Sequence, residues 1–183
     1  MLGTVPSTPS RSRRIVPAEP SAEGAGPPSF AEFFEGSHRD LFRALYLLTG
    51  SAAEADELLQ EAFVRVLERW DRVSRMDRPT GYLYRCAMNL HRNRRRRARL
   101  VWHPMASDVD GTDQFARADE RDALARGLAV LPPRQRAAVI LTELLDYTSE
   151  QAGEVLGVKA ASVRALAHQG RRALREALGG RDG

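Results

Sequence analysis

The sequence predicts an all-α protein of two small helical domains joined by a flexible acidic linker, the second domain with a helix-turn-helix. Three observations lead there. Apolar residues recur at three- and four-residue spacing through most of the chain. No segment shows the strict alternation of a half-buried strand. The charge divides into blocks: residues 30–100 carry 14 basic and 10 acidic side chains, residues 101–119 carry Arg117 against Asp108, Asp110, Asp113 and Asp119, and residues 120–183 carry 10 basic and 8 acidic.

Residues 1–29 come first, with Pro6, Pro9, Pro17, Pro20, Pro27 and Pro28 among Ser, Gly and Ala. They hold too little apolar surface to offset the entropy of ordering them and read as a disordered tail. Phe30, Phe33, Phe34, Leu41, Leu45 and Leu48 then make a helical stripe ending at Gly50, with Gly36 as its weak point. Ser51 is the expected N-cap of a second helix over 52–73, on the stripe Ala55, Leu59, Ala62, Val66 and Trp70, widened by Leu58, Phe63 and Leu67. Pro79 and Thr80 open a third, through Leu83, Ala87 and Leu90 into an arginine cluster.

The joint, 101–119, contains Pro104 and Gly111 and no sustained apolar period, as a flexible connection does. In the second domain, 120–178, a helix beginning near Phe115 runs to Val130 and stops at Pro132 and Pro133, which suit the first turn of the next helix, expected to reach Asp146. A short helix over 149–156, a turn at Gly157, Val158 and Lys159, and a long helix over 160–178 follow, before a tail at 179–183. Gly153 precedes Gly157 by four residues. Two helices crossing closely over a short turn need a minimal side chain at the crossing and a turn residue tolerant of positive φ. That spacing fits a DNA-binding helix-turn-helix, and also an ordinary helical hairpin with a packing glycine.

Composition narrows the function. At 183 residues the chain is too short for a large multidomain enzyme, and one cysteine, Cys86, makes neither an internal disulfide nor a multi-cysteine metal site. No stretch approaches the run of about 18 apolar residues that spans a bilayer, and the basic N-terminus lacks an apolar h-region, so the expectation is a soluble, cytoplasmic protein without membrane insertion. Net charge is +4 with a pI near 9.8, and Lys159 is the sole lysine, leaving arginine to supply the positive charge. His38, His91, His103 and His168 are scattered without ligand spacing, and there is no Gly-rich phosphate loop, so neither a cofactor nor a metal is expected. Asp56, Glu57 and Glu61 could serve a metal-dependent nuclease, but Arg65 and Arg69 follow at helical spacing and a salt-bridged face explains them better. The chain is expected not to be an enzyme.

The densest charge is Arg85, Arg92, Arg94, Arg95, Arg96, Arg97 and Arg99, seven cations in 15 residues without an acid. Such a run repels itself unless an anion neutralises it, although a solvated helix end also accepts cations. Here it continues a helix bearing Tyr82, Tyr84, Asn89, His91 and Asn93. Rings stack on unpaired bases, amides meet base edges and arginines bind phosphate, a combination suited to single-stranded or melted DNA.

Taken together, these segments resemble an extracytoplasmic-function (ECF, group IV) sigma factor of bacterial RNA polymerase. The run from Ala53 to Val66 resembles the polymerase-binding helix, with family matches at Asp56, Leu59 and Gln60. Residues 81–93 and the following arginines resemble the helix that opens and reads the minus-10 element, and 128–178, with Leu131-Pro132-Pro133-Arg134-Gln135-Arg136, the domain that reads the minus-35 element. The resemblance implies core RNA polymerase and promoter DNA as partners, an anti-sigma factor as a candidate further one, and association with the nucleoid when polymerase-bound. It implies minus-10 contacts from Tyr82, Tyr84, Arg85, Asn89, Arg92, Asn93, Arg95 and Arg96, with the loop 73–78 helping to hold a flipped base. Minus-35 contacts would come from Lys159, Ser162, Arg164, His168, Gln169, Arg171 and Arg172. The chain departs from the family pattern with Tyr82 for Trp, Ala152 for Ile, and Val163-Arg164-Ala165-Leu166 and Gln169-Gly170 where Val-Arg-Ser-Arg and Arg-Ala are usual, so two expected arginines are missing. A free-standing helix-turn-helix regulator, and more remotely a helical nuclease, are the rival readings.

Overall fold

The structure is a computed structural model describing residues 28–100 and 118–179. Most of the expected tail and most of the expected linker lie outside the described residues, and Ser29, at the end of that tail, is described as the cap of the first helix.

Eight α-helices and one π-helical turn make up the described chain, with no strand among the described residues. α1 (Phe30–Thr49) starts at a capping box in which Ser29 and Glu32 satisfy each other's backbone N–H groups, and it ends at Gly50 in the left-handed region, φ 77°. It runs unbroken through Gly36. α2 (Ala52–Leu67) is capped by Ser51, whose side chain accepts from the Glu54 N–H.

The single helix expected over 52–73 is broken. α2 stops at Leu67, Arg69 leaves helical geometry at φ −126°, ψ 19°, and Trp70–Val73 forms a separate turn, α3. The bend accompanies the docking of the Trp70 indole on α1, 5.4 Å from the Phe30 ring and 5.0 Å from the Phe33 ring. Aromatic packing outweighs helix continuation at this point. α4 (Pro79–Leu100) then crosses back over α2, burying Leu83, Ala87 and Leu90.

α5 (Ala118–Ala129) precedes the turn at Leu131 and Pro132. The helix expected to reach Asp146 instead divides into α6 (Pro133–Val139) and a π-helical turn at Ile140–Leu144. The ladder widens there, with Leu145 N–H donating to the Ile140 carbonyl, and Asp146 follows at φ 52°. This re-aims the chain and lets Tyr147 bury its ring before α7 (Ser149–Leu156). Thr148 and Gln151 form the capping box of α7, Gly157 ends it at φ 68°, and α8 (Ala160–Gly179) completes the helix-turn-helix. A Cβ on Gly153 would lie 2.7 Å from the Val158 carbonyl oxygen, so the crossing does require glycine.

The buried side chains form one continuous cluster across both halves. α1 packs on α5 and α4 on α7, so the second half rests directly on the first. No helix among the described residues is long and apolar enough to cross a membrane.

Candidate nucleic-acid interface

α2 presents Asp56 and Gln60 to solvent, with Gln60 Nε2 donating to Asp56 Oδ2 at 2.7 Å. Leu59, grouped with them on resemblance, is buried on the apolar stripe of α2, as the helical spacing predicts. Glu57 and Glu61, weighed as nuclease carboxylates, are engaged by arginine: Arg94 reaches Glu57 at 2.6 Å and Glu61 at 3.3 Å, and Arg65 meets Glu61 at 2.8 Å. Arg94 therefore ties α4 to α2, leaving the cluster one fewer cation for an anion. Glu54 is held below the usual carboxylate range, chiefly by a hydrogen bond with His91, whose Nδ1 lies 3.4 Å away and whose ring is buried.

Along α4, Arg85, Arg92, Asn93, Arg96 and Arg97 are exposed, while Tyr82, Asn89 and Arg95 are half-buried. Tyr82 accepts from Arg69 Nη1 at 3.0 Å, which fixes its ring beside the α2–α3 bend. Arg92 donates to Asn89 Oδ1 at 2.9 Å, joining an amide and a guanidinium on one edge. Tyr84 is the exception within the expected set. Its ring is 1% exposed, packed 5.8 Å from that of Tyr147, and its hydroxyl finds no hydrogen-bond partner. Burial pushes its phenol well above the ordinary range. As a base-stacking surface it is unavailable in this arrangement, because α4 turns that face toward the second half.

On α8, Ser162, Arg164, His168, Gln169, Arg171 and Arg172 are all exposed, opposite the buried Val163, Ala167 and Gly170. Lys159 is exposed in the turn. Arg164, His168 and Arg171 share a cleft of about 390 Å³ with Thr142 and Ser149. Two acids orient this edge, Glu150 at 3.2 Å from Arg164 and Glu143 at 2.5 Å from Arg171. Gln169 accepts from Gln135 at 3.2 Å. An exposed cationic helix face with amide and imidazole groups, held by a close crossing, suits the major groove of duplex DNA.

Three residues emerge only in three dimensions. Arg136 is buried, and donates to the carbonyls of Leu48, Ala129 and Leu131. Tyr147 lies under Arg78, whose guanidinium sits 5.4 Å above its ring. Gly170, where the family pattern differs, brings α8 against α6: a Cβ there would meet Val139 Cγ2 at 2.7 Å. The Leu-Pro-Pro run flagged the neighbourhood of Arg136, but nothing in the sequence marked its long-range partner.

Comparison with known proteins follows this division. Residues 33–101 match the family description Sigma-70 region 2, and residues 121–174 match Sigma-70, region 4. The chain is 32% identical over 158 residues to an RNA polymerase sigma-E factor of Streptomyces avermitilis, covering 84% of this chain and 87% of that protein. It is 30% identical over 155 residues to the ECF RNA polymerase sigma factor SigM of Mycobacterium tuberculosis, covering 82% and 78%. Identity to the ECF sigma factor SigE of Mycolicibacterium smegmatis is 32% over 169 residues, 86% of this chain but 65% of that longer protein. Among solved structures, the sigma factor RpoE of Bartonella quintana, crystallised with the anti-sigma factor NepR, shares the fold with a TM-score of 0.64 at 18% identity, over 82% of this chain and 96% of that one.

Proposed function

The chain belongs to the extracytoplasmic-function family of RNA polymerase sigma factors, and from that premise we propose that it docks on core polymerase through α2, reads promoters with α4 and α8, and performs no bond chemistry. It is an alternative sigma factor, directing polymerase to specific promoters and promoting DNA melting. The observation that carries this reading is the presence in one chain, in order, of an arginine-rich helix on a three-helix core and a helix-turn-helix with a glycine-dependent crossing. The reading takes 30–100 and 120–178 as the two functional domains and assigns the protein to group IV.

Asp56 and Gln60 supply the exposed polar face for polymerase. Tyr82, Arg85, Asn89, Arg92, Asn93, Arg95 and Arg96 serve the minus-10 strand: Asn89 and Asn93 meet a base edge and the arginines meet phosphates. Each base leaving the stack costs a few kcal/mol, offset by such contacts. Arg164, His168, Gln169 and Ser162 face the minus-35 groove, with Lys159, Arg171 and Arg172 nearer phosphate. An anti-sigma factor is a partner by analogy with the structural relative, and the place of action is the cell interior, at the nucleoid when polymerase is bound.

Transcription in vitro with core polymerase on a genomic library tests this. Discrete, chain-dependent start sites are expected. Absence of both core binding and chain-dependent transcripts overturns it, and DNA binding without core binding would favour a free-standing regulator.

A further inference from the structure

The arginine run of α4 repels itself unless acids face it, and α2 supplies them. Glu54, Glu57 and Glu61, three and four residues apart, lie along one face of α2, and His91 and Arg94, three apart, lie along the facing side of α4. Arg94 anchors this seam. Its Nη1 donates to Glu57 at 2.6 Å and its Nη2 to Glu61 at 3.3 Å, so one planar fork spans a turn of α2. Glu61 gives its other oxygen to Arg65 at 2.8 Å, and His91 Nδ1 lies 3.4 Å from Glu54 on the preceding rung.

The seam lies between the two surfaces that the proposed function uses. On α2 it runs beside the exposed Asp56 and Gln60. On α4, Arg94 follows Asn93 and precedes Arg95 and Arg96. Within 79–98, Leu90 is the last apolar residue of α4 in the core, so the stretch beyond it is held to α2 by charged and polar side chains. Apolar packing is non-directional and lets two helices slide or roll, whereas a fork on two acids fixes both rotation and axial register.

We infer that Arg94 is a positioning residue: it sets the strand-reading part of α4 in register with the docking face of α2, and does not meet phosphate, the role given to Arg95 and Arg96. This rests on the assignment of α2 to core polymerase and of α4 to melted DNA. Arg94 is 34% exposed and Glu57 65%, so the pairs add little to folding. Their loss therefore shows in where α4 holds the strand, not in whether the chain folds.

The test uses holoenzyme assembled from the full chain and core polymerase, with a fluorescein-labelled single strand of mixed sequence as probe, across a salt series. Arg94→Ala should weaken strand binding about five-fold, with the salt slope and the affinity for labelled core unchanged. Arg96→Ala, which removes a phosphate contact, should instead make the slope shallower by about 1. Arg94→Glu should be weaker than Arg94→Ala, and adding Glu57→Arg should recover most of the loss by restoring the pair in reverse. Adding Asp71→Arg instead, at an exposed site on α3, restores the same net charge without the pair and should recover less.

A slope change in Arg94→Ala equal to that in Arg96→Ala would make Arg94 a phosphate contact and overturn the inference. Parental strand affinity in Arg94→Ala, or equal recovery by Glu57→Arg and Asp71→Arg, would overturn it as well. Urea unfolding accompanies every variant, and Arg94→Gln, which keeps the stem, carries the test if Arg94→Ala does not fold. Loss of the fold in both would make Arg94 a plain structural brace, which also overturns the inference. Core binding by the parent without any strand binding would overturn the assignment of α4 to melted DNA and the role of Arg94 with it, and failure of the parent to bind core would overturn the proposed function itself.

Discussion

Arg136 Nη1 donates to the Leu48 carbonyl at 2.9 Å across 88 residues of sequence, giving α1 the C-terminal cation its own last turn lacks. No carboxylate accompanies the buried guanidinium among its hydrogen-bond partners, which are three carbonyls. Burial, with Arg95 adding a smaller repulsion, pulls its pKa below the ordinary arginine value. Replacing it by methionine leaves up to three carbonyls seeking partners and should destabilise the chain by about 2–4 kcal/mol. Arg136→Lys keeps the charge but not the fork, and should restore less than half of the loss. Urea titration decides: a loss below about 0.5 kcal/mol for methionine would show the carbonyls to be satisfied otherwise.

The crossing of α7 and α8 makes a sharper prediction. The Cβ of Gly153→Ala would face the Val158 carbonyl at 2.7 Å, a main-chain atom that moves only with the turn, so a cost of about 1–3 kcal/mol is expected. Gly157→Ala meets open space apart from the Arg92 side chain, and its strain comes from φ 68°, so about 1 kcal/mol is expected. Thermal unfolding should rank Gly153→Ala as the worse of the two. The reverse order would mean that the turn, not the crossing, is the tight point.

These two glycines were legible in the sequence because the requirement is local: four residues of spacing encode both the crossing and the turn. The helices were legible for the same reason, since apolar period and caps at Ser51 and Gly50 act within a few residues. The break at Arg69 was not, because Trp70 leaves α2 for rings on α1, a tertiary contact. Nor was the π turn at Ile140–Leu144, where helical pattern continues but Tyr147 must be buried. At the candidate site, the apolar stripe already set Leu59 apart from the exposed Asp56 and Gln60, whereas Arg96 and Arg94, alike in residue type, are told apart only by the acids that Arg94 meets on α2.

That separation makes α2 testable. Asp56→Arg with Gln60→Arg changes two exposed side chains and should preserve helicity while weakening core binding at least ten-fold by opposed charge, a loss of about 1.4 kcal/mol or more. Leu59→Ala should instead cost about 2–4 kcal/mol of stability through a core cavity. Fluorescence titration of labelled core, with urea unfolding alongside, distinguishes the two. Equal core affinity for the folded double variant and the parent would remove α2 from the docking surface.

Glu54 provides a pH dependence. Its folded pKa is depressed, first by the hydrogen bond with His91, so its contribution is present above the unfolded carboxylate value of about 4.3 and lost as pH falls through the lower folded value. The Glu54 side chain is 36% exposed, so the contribution should be under about 1 kcal/mol. Glu54→Gln should therefore be less stable than the parent near neutrality, with the gap closing in acid. A gap that persists undiminished below the folded pKa would assign the effect to packing.

The two helices proposed to read DNA should fail in different assays. Asn89, half-buried beside Arg92, is proposed to meet the melted strand, and on that assignment Asn89→Ala should remove about 1–3 kcal/mol of base-edge contact and depress strand opening more than closed-complex formation. Arg164→Ala frees Glu150 and deletes a groove-facing cation, so closed-complex binding should fall and minus-35 preference relax while opening on a premelted template survives. Arg95 and Arg96 changed together should lower affinity for all sequences and make the salt slope shallower by about 2. Permanganate reactivity of promoter thymines on duplex and premelted templates, across a salt series, reads all three. Identical defects for Asn89→Ala and Arg164→Ala in every assay would mean that one of these helices does not perform the role given to it.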